Sequence, residues 1–135
     1  MTETGTEIIE SILTAGFTAT LRADGIAQFN MHPADEEETS LTDIKNMTDA
    51  MLRLGKGKQL PVLIIIDKYS DMSDQARTYA ASEEALKYTK ANAIVINSII
   101  NRMAANFFIR FAKPVRPTKM FNNEKNAVLW LQTLL

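Results

Sequence analysis

An unbroken apolar run, LPVLIIID at residues 60–67, limits what this chain can fold into more than any other feature. The run is rich in β-branched side chains, and Pro61 and Asp67 bound it. A short run that is apolar on both faces predicts a strand buried at the centre of a sheet. A membrane helix needs about 20 apolar residues, so the run predicts no membrane span.

The segment before this run predicts a β-hairpin. Residues 17–22 and 26–32 alternate apolar and polar side chains on either side of Asp24 and Gly25. Two alternating runs joined by Asp-Gly are typical of a hairpin. Residues 7–13, EIIESIL, fit either a short helix or an edge strand.

Apolar residues at helical spacing predict about four helices in the rest of the chain. Gly55 and Gly57 are expected to end the first of them. The stripe in residues 98–112 includes Ile99, Met103 and Phe107, which are expected to be buried. Two further strands are predicted at residues 93–96 and 117–121. The predicted helices begin at Ser40, Ser73, Ser98, and Asn122 or Asn123.

Strands that alternate with helices imply crossover connections and parallel pairing. We therefore predict an α/β fold: a mixed, largely parallel sheet with an N-terminal antiparallel hairpin and about four helices. With 135 residues, the chain has room for one domain. We assign that domain to residues 17–135 and leave residues 1–16 as a poorly determined N-terminal segment.

The composition argues against most enzyme and metal chemistry. There is no cysteine and only one histidine, His32, so any hydrolytic triad would depend on that residue. Asp67, Asp71 and Asp74 lack the glycine and closing glutamate of a calcium loop. A phosphate-binding glycine loop, a dinucleotide fingerprint and a nucleophile elbow are absent from the sequence. We predict no enzyme activity, no metal and no cofactor.

Charge is distributed unevenly, although the formal net charge is only −1. Residues 1–51 hold ten acidic residues and two basic ones, whereas residues 98–125 hold six basic residues and one acidic one. This asymmetry fits an anion site, a self-complementary dimer surface, or solvated faces of different charge. The balance does not fit nucleic-acid binding.

The acidic, polar start of the chain is unlike a secretory signal, so we expect a cytoplasmic location.

Candidate site residues follow the two buried strands, because ligands in open α/β sheets usually lie beyond the carboxyl ends of strands. Ser70 and Ser73 follow the first buried strand and come just before Arg77 in the next predicted helix. Ser98 follows the second buried strand and begins the predicted helix that carries Arg102 and Asn106. Arg102 and Asn106 share a helix face, and with Lys119 they are candidates to hold an anionic ligand or a partner's carboxylate. The alternatives are a helix-capping role for Ser73 and a solvated face around Arg102.

Several strings give the chain a family likeness: PVLIIID, ARTYAASEEA, NFF, KPVRPTKMF and AVLWL. Over about residues 17–135 the sequence resembles small bacterial STAS-like proteins of uncharacterised function, which are related in fold to anti-sigma-factor antagonists. In those antagonists, a serine that begins the helix after a central strand can be phosphorylated. The resemblance implies that the matching position here is near Ser73 or Ser70. The Asp-Ser-x-Gly signature of that site is missing, since Met72 precedes Ser73 and Asp74 follows it.

These observations lead to two hypotheses about function. The first is a non-enzymatic regulatory or protein-interaction domain with an unknown protein partner, possible homodimerisation, and a contact surface around Ser73 and Arg102. The second is a carrier or sensor of a small apolar or anionic ligand. Its basis is the set of methionine and phenylalanine residues beside a basic cluster.

Overall fold

The structure is a computed structural model that describes residues 7–31, 39–66, 72–96, 99, 102–103, 106 and 108–134. These residues contain one six-stranded sheet whose strand order follows the chain. β1 pairs with β2, and β2 with β3, in antiparallel fashion, and the three remaining pairings are parallel. The predicted mixed α/β sheet is confirmed. Its strands are β1 Ile8–Leu13, β2 Phe17–Arg22, β3 Ala27–Met31, β4 Leu60–Ile66, β5 Thr89–Ile96 and β6 Thr118–Phe121.

Three α-helices are complete within the described residues: α1 Leu41–Gly55, α2 Asp74–Ala80 and α3 Glu124–Gln132. The prediction of about four was slightly high. In the predicted helix of residues 98–112, Ile99 and Asn106 are α-helical, but Phe108–Ala112 is π-helical. The helical path ends there because Lys113 adopts a left-handed φ of 51° and Pro114 has no N–H to donate.

Helix α1 begins with a capping box. The Asp43 backbone N–H donates to the Ser40 hydroxyl at 3.2 Å, and the Ser40 backbone N–H donates to the Asp43 carboxylate at 3.0 Å. These bonds satisfy donors that the first turn of a helix leaves without partners. At the other end, Gly55 is still helical and buried, and Lys56 is the left-handed C-cap, with a φ of 51°. A Cβ on Gly55 would lie 3.2 Å from the Leu60 side chain, so packing explains this glycine.

Side chains alternate between the two faces of the sheet, and each face has its own core. On the first face, Ala50, Met51 and Leu54 of α1 pack against Phe17, Phe29 and other apolar residues of β2–β4. On the second face, Ala127 and Leu131 of α3 pack against apolar residues of β4 and β5. α3 contacts β4, β5 and β6. On this second face, β2 and β3 carry polar residues instead: Thr18, Thr20, Arg22, Gln28 and Asn30.

Candidate functional site

The connections that follow β4 and β5 start side by side. Ile66 and Ile96 are register partners in the parallel pair, so both connections leave the same edge of the sheet. Most of the first residues in these connections lie outside the described part of the chain. Ser70 and Ser98 are among them, as are Asp67 and Asp71, and His32 after β3 also lies outside the described residues.

Ser73 is the N-cap of α2. Its hydroxyl accepts a hydrogen bond from the Ala76 backbone N–H at 3.1 Å, and the residue is half-buried. This bond satisfies one of the free N–H groups of the first turn, which accounts for a serine at this position. A regulatory role for Ser73 stays a prediction.

Arg77 lies across the same turn as Ser73. Its guanidinium forms an ion pair with Asp74, Nη1 to Oδ1 at 2.9 Å, and donates from Nη2 to the Met72 carbonyl at 3.0 Å. The side chain therefore ties the start of α2 to the residue before the cap. The structure thus brings Ser73 and Arg77 together at the beginning of α2.

Two apolar side chains are exposed in the helical residues after β5. Ile99 and Met103 are 76% and 67% exposed. They are four residues apart in the helix, so they lie on one face. The prediction that they are buried was wrong, because helical spacing shows which residues share a face and not whether another element covers it. Arg102 and Asn106, also four residues apart, are exposed beside Ile99 and Met103.

Lys119 lies elsewhere. It is the register partner of Ala93, whose side chain faces the α3 side of the sheet. Its Nζ is 5.5 Å from the centre of the Phe121 ring, a distance that permits a cation–π contact. Phe108–Ala112 packs instead against α2, which itself packs against α1 on the first face. The structure therefore leaves Arg102 and Asn106 exposed on one helix face and places Lys119 on the α3 side of the sheet.

We call Ile99, Arg102, Met103 and Asn106 the helical ridge. It presents two apolar side chains next to a guanidinium and an amide, a mixture typical of protein contact surfaces. Among the described residues, no group of three His, Asp or Glu side chains is placed to hold a metal ion. The described helices include none with the length and apolar content to cross a membrane.

Comparison with solved structures defines the class of fold. An uncharacterised protein of the DUF3478 family with a SpoIIAA-like fold, from Shewanella loihica PV-4, aligns with 90% of this chain and 98% of its own length. The TM-score is 0.58 at 19% identity. The fold is therefore SpoIIAA-like, which confirms the STAS-like architecture expected from the sequence. The chain belongs to the family described as domain of unknown function DUF7793, whose model matches residues 20–135.

A second solved structure is more distant in shape. It is a protein of unknown function from Arthrobacter sp. FB24, 24% identical over 84% of this chain and 97% of its own, with a TM-score of 0.30. No curated protein matches the chain by sequence.

Proposed function

We propose that the chain is a non-enzymatic regulatory or protein-interaction domain of STAS-like type, and that the helical ridge is its contact surface. The observation that carries the proposal is the exposure of Ile99 and Met103 on one helix face. Leaving two large apolar side chains in water forgoes roughly 1.5–3 kcal/mol of burial energy for each one. A partner that covers them recovers this energy, so a neighbouring pair of such residues favours a binding surface.

The charge around the ridge suggests the chemistry of the partner. Arg102 belongs to the ridge and is exposed, and Arg110, further along the chain, is exposed as well. A partner surface with an apolar centre and an acidic rim would complement this arrangement. Residues 1–51, with ten acidic residues against two basic ones, make a second copy of the chain one such partner.

The test is a capture experiment with matched variants. The full chain, Met103→Glu and Leu129→Glu are each immobilised and exposed to a lysate of the source cells, and captured proteins are quantified by mass spectrometry. Leu129 is the control because it is also an exposed apolar residue on a helix, at 53% exposure, but it belongs to α3. We expect at least one protein whose apparent affinity falls about tenfold or more with Met103→Glu, equal to about 1.4 kcal/mol. The same protein is unaffected by Leu129→Glu.

Sedimentation velocity of the purified variants separates the two kinds of partner. If the wild-type chain is a dimer that only Met103→Glu dissociates, the partner is a second copy. If the wild type stays monomeric, the ridge contacts a different protein. A proteome in which no capture depends on Met103, together with unchanged self-association, contradicts the proposal.

A further inference from the structure

A polar cleft lies on the second face of the sheet, away from the α1 core. It occupies about 500 Å³ over β1, β2 and β3, and the start of α3 lines it through Glu124. Clefts of about 300–1,000 Å³ are the usual size for small-molecule sites. The described residues that line it all carry hydrogen-bonding side chains apart from Ile8: Ser11, Thr18, Thr20, Arg22, Gln28, Asn30 and Glu124.

A chain of hydrogen bonds orders the floor of the cleft. Arg22 is buried, and its Nη2 forms an ion pair with Asp24 Oδ2 at 2.9 Å while its Nη1 donates to Gln28 Oε1 at 3.3 Å. Gln28 Nε2 then donates to Asn30 Oδ1 at 2.9 Å. Each bond fixes the orientation of the next side-chain amide. The Asn30 NH₂ group is therefore the donor at the end of this series of hydrogen bonds.

Three groups remain to meet a ligand. Among the described residues, neither the Asn30 NH₂ group nor the Ser11 hydroxyl has a hydrogen-bond partner. The third group is the Glu124 carboxylate, which is half exposed and has Oε1 4.0 Å from Arg22 Nη1. The cleft therefore offers a donor at Asn30, an acceptor at Glu124, and a hydroxyl able to do both at Ser11.

The charges in and beside the cleft restrict the ligand. Among the described residues, Arg22 is paired with Asp24, and the Glu124 carboxylate adds a negative charge beside this pair. A phosphate or carboxylate ligand would meet this excess negative charge, and an apolar ligand would leave the ordered amides without partners. A hydroxyl group both donates and accepts, so a compound with several hydroxyls can meet the donor at Asn30 and the acceptor at Glu124 with different hydroxyls.

We propose that this cleft binds a small uncharged polyhydroxyl compound, such as a sugar or polyol. Its hydroxyls accept from Asn30 and donate to Glu124, and the exposed Ile8 side chain contacts its C–H face. This ligand class differs from the apolar or anionic ligand expected from the sequence. The cleft and the helical ridge share no residue, so this site does not depend on the proposed interaction function.

The experiment is a two-dimensional NMR titration of the ¹⁵N-labelled full chain. The neutral probes are glucose, mannose, galactose and ribose, and the charged probes are glucosamine and glucose 6-phosphate. We expect at least one neutral sugar to shift the Ser11, Gln28 and Asn30 amide signals with a millimolar dissociation constant, and the phosphate to bind more weakly than glucose.

Three variants locate the binding. Asn30→Asp replaces the free donor with a carboxylate and is expected to weaken binding about tenfold or more. Ser11→Ala, at an exposed edge position that tolerates change, is expected to weaken it by a smaller factor. Asn46→Asp makes the same chemical change as Asn30→Asp on an exposed face of α1 and is expected to change nothing. The proposal is overturned if no neutral sugar shifts these signals, if glucose 6-phosphate binds more tightly than glucose, or if Ser11→Ala and Asn30→Asp both bind like the wild type.

Discussion

Two arginines in this chain form ion pairs of the same length in different surroundings. Arg22 contacts Asp24 at 2.9 Å, with side chains only 8% and 10% exposed. Arg53 contacts Glu10 at 2.9 Å, with side chains 66% and 33% exposed. Water screens the second pair, whereas removing one partner of the first leaves a charge in a poorly solvated place. The length of an ion pair therefore does not show how much that pair contributes to stability.

We expect Arg22→Met to lower the free energy of unfolding by about 3 kcal/mol or more, because the Asp24 carboxylate then loses its buried cation. Arg53→Met, the control, is expected to cost less than about 1 kcal/mol. Urea unfolding of both variants, followed by circular dichroism, makes the comparison. Equal losses would show that burial does not govern these two pairs.

The polar residues of the hairpin show which structural features an alternating sequence pattern predicts and which it does not. Thr18, Thr20 and Arg22 alternate with apolar residues, and the alternation correctly predicted strands. Alternation marks the less buried face of a strand, which is normally solvated. It does not show that Arg22 is buried there, or that Gln28 and Asn30 line a cleft with Glu124. That arrangement needs α3 to lie near the hairpin, a contact over a large distance along the chain.

Elements with local signals were predicted well. The Ser40 cap, the hairpin around Asp24-Gly25 and the buried run that became β4 all follow from short-range chemistry. β1 was ambiguous because EIIESIL fits both a helix and a strand, and only pairing with β2 decides between them. The helical ridge was misjudged for a related reason, since burial of Ile99 depends on what packs against its helix.

The end of α1 also differs from expectation. Gly55 and Gly57 were both expected to end the helix, and Gly57 does adopt a positive φ of 89°. The left-handed C-cap itself is Lys56, with a φ of 51°, while Gly55 remains helical against Leu60. A side chain in this conformation is strained because its Cβ lies too close to the following carbonyl oxygen. The left-handed conformation of Lys56 therefore lowers the free energy of unfolding slightly, and substitution by glycine would remove this strain.

Lys56→Gly is expected to raise the free energy of unfolding by about 0.5–1 kcal/mol, since glycine adopts this conformation without strain. Lys58→Gly serves as the control, because Lys58 is exposed, carries the same charge and is not in the left-handed region. That change is expected to leave stability unchanged or slightly lower it. Thermal unfolding of both variants gives the answer, and a less stable Lys56→Gly would contradict the strain argument.

At the scale of the whole molecule, the two faces of the sheet are covered differently. α1 and α2 belong to the first face, while α3 covers β4–β6 on the second. A single nine-residue helix thus buries the apolar residues of that half, among them Leu63 and Ala93. The polar cleft occupies the adjoining part of the same face, where β1–β3 carry hydrogen-bonding side chains.

The importance of α3 can be measured with two leucines of the same helix. Leu131 is fully buried against β4 and β5, and Leu129 is 53% exposed. Leu131→Ala is expected to cost about 2–5 kcal/mol through lost burial and the cavity that remains. Leu129→Ala is expected to stay within about 0.5 kcal/mol of wild type. Chemical denaturation measures the free energy of unfolding of both variants. Similar losses for the two would show that burial of Leu131 of α3 against the sheet does not stabilise the second face.

The order of the strands affects how the protein can be made. Each described strand after β1 pairs with the strand that precedes it in the chain, so none has to enter between two strands that are already joined. A chain leaving the ribosome can therefore extend its sheet one strand at a time, with each new strand adding to the free edge of the last. The two antiparallel connections are short, so closing them costs little entropy, whereas each parallel pairing has to wait for a longer crossover segment. The apolar second face of β4 and β5 stays open during this process until α3, which follows all six strands in the sequence, covers it.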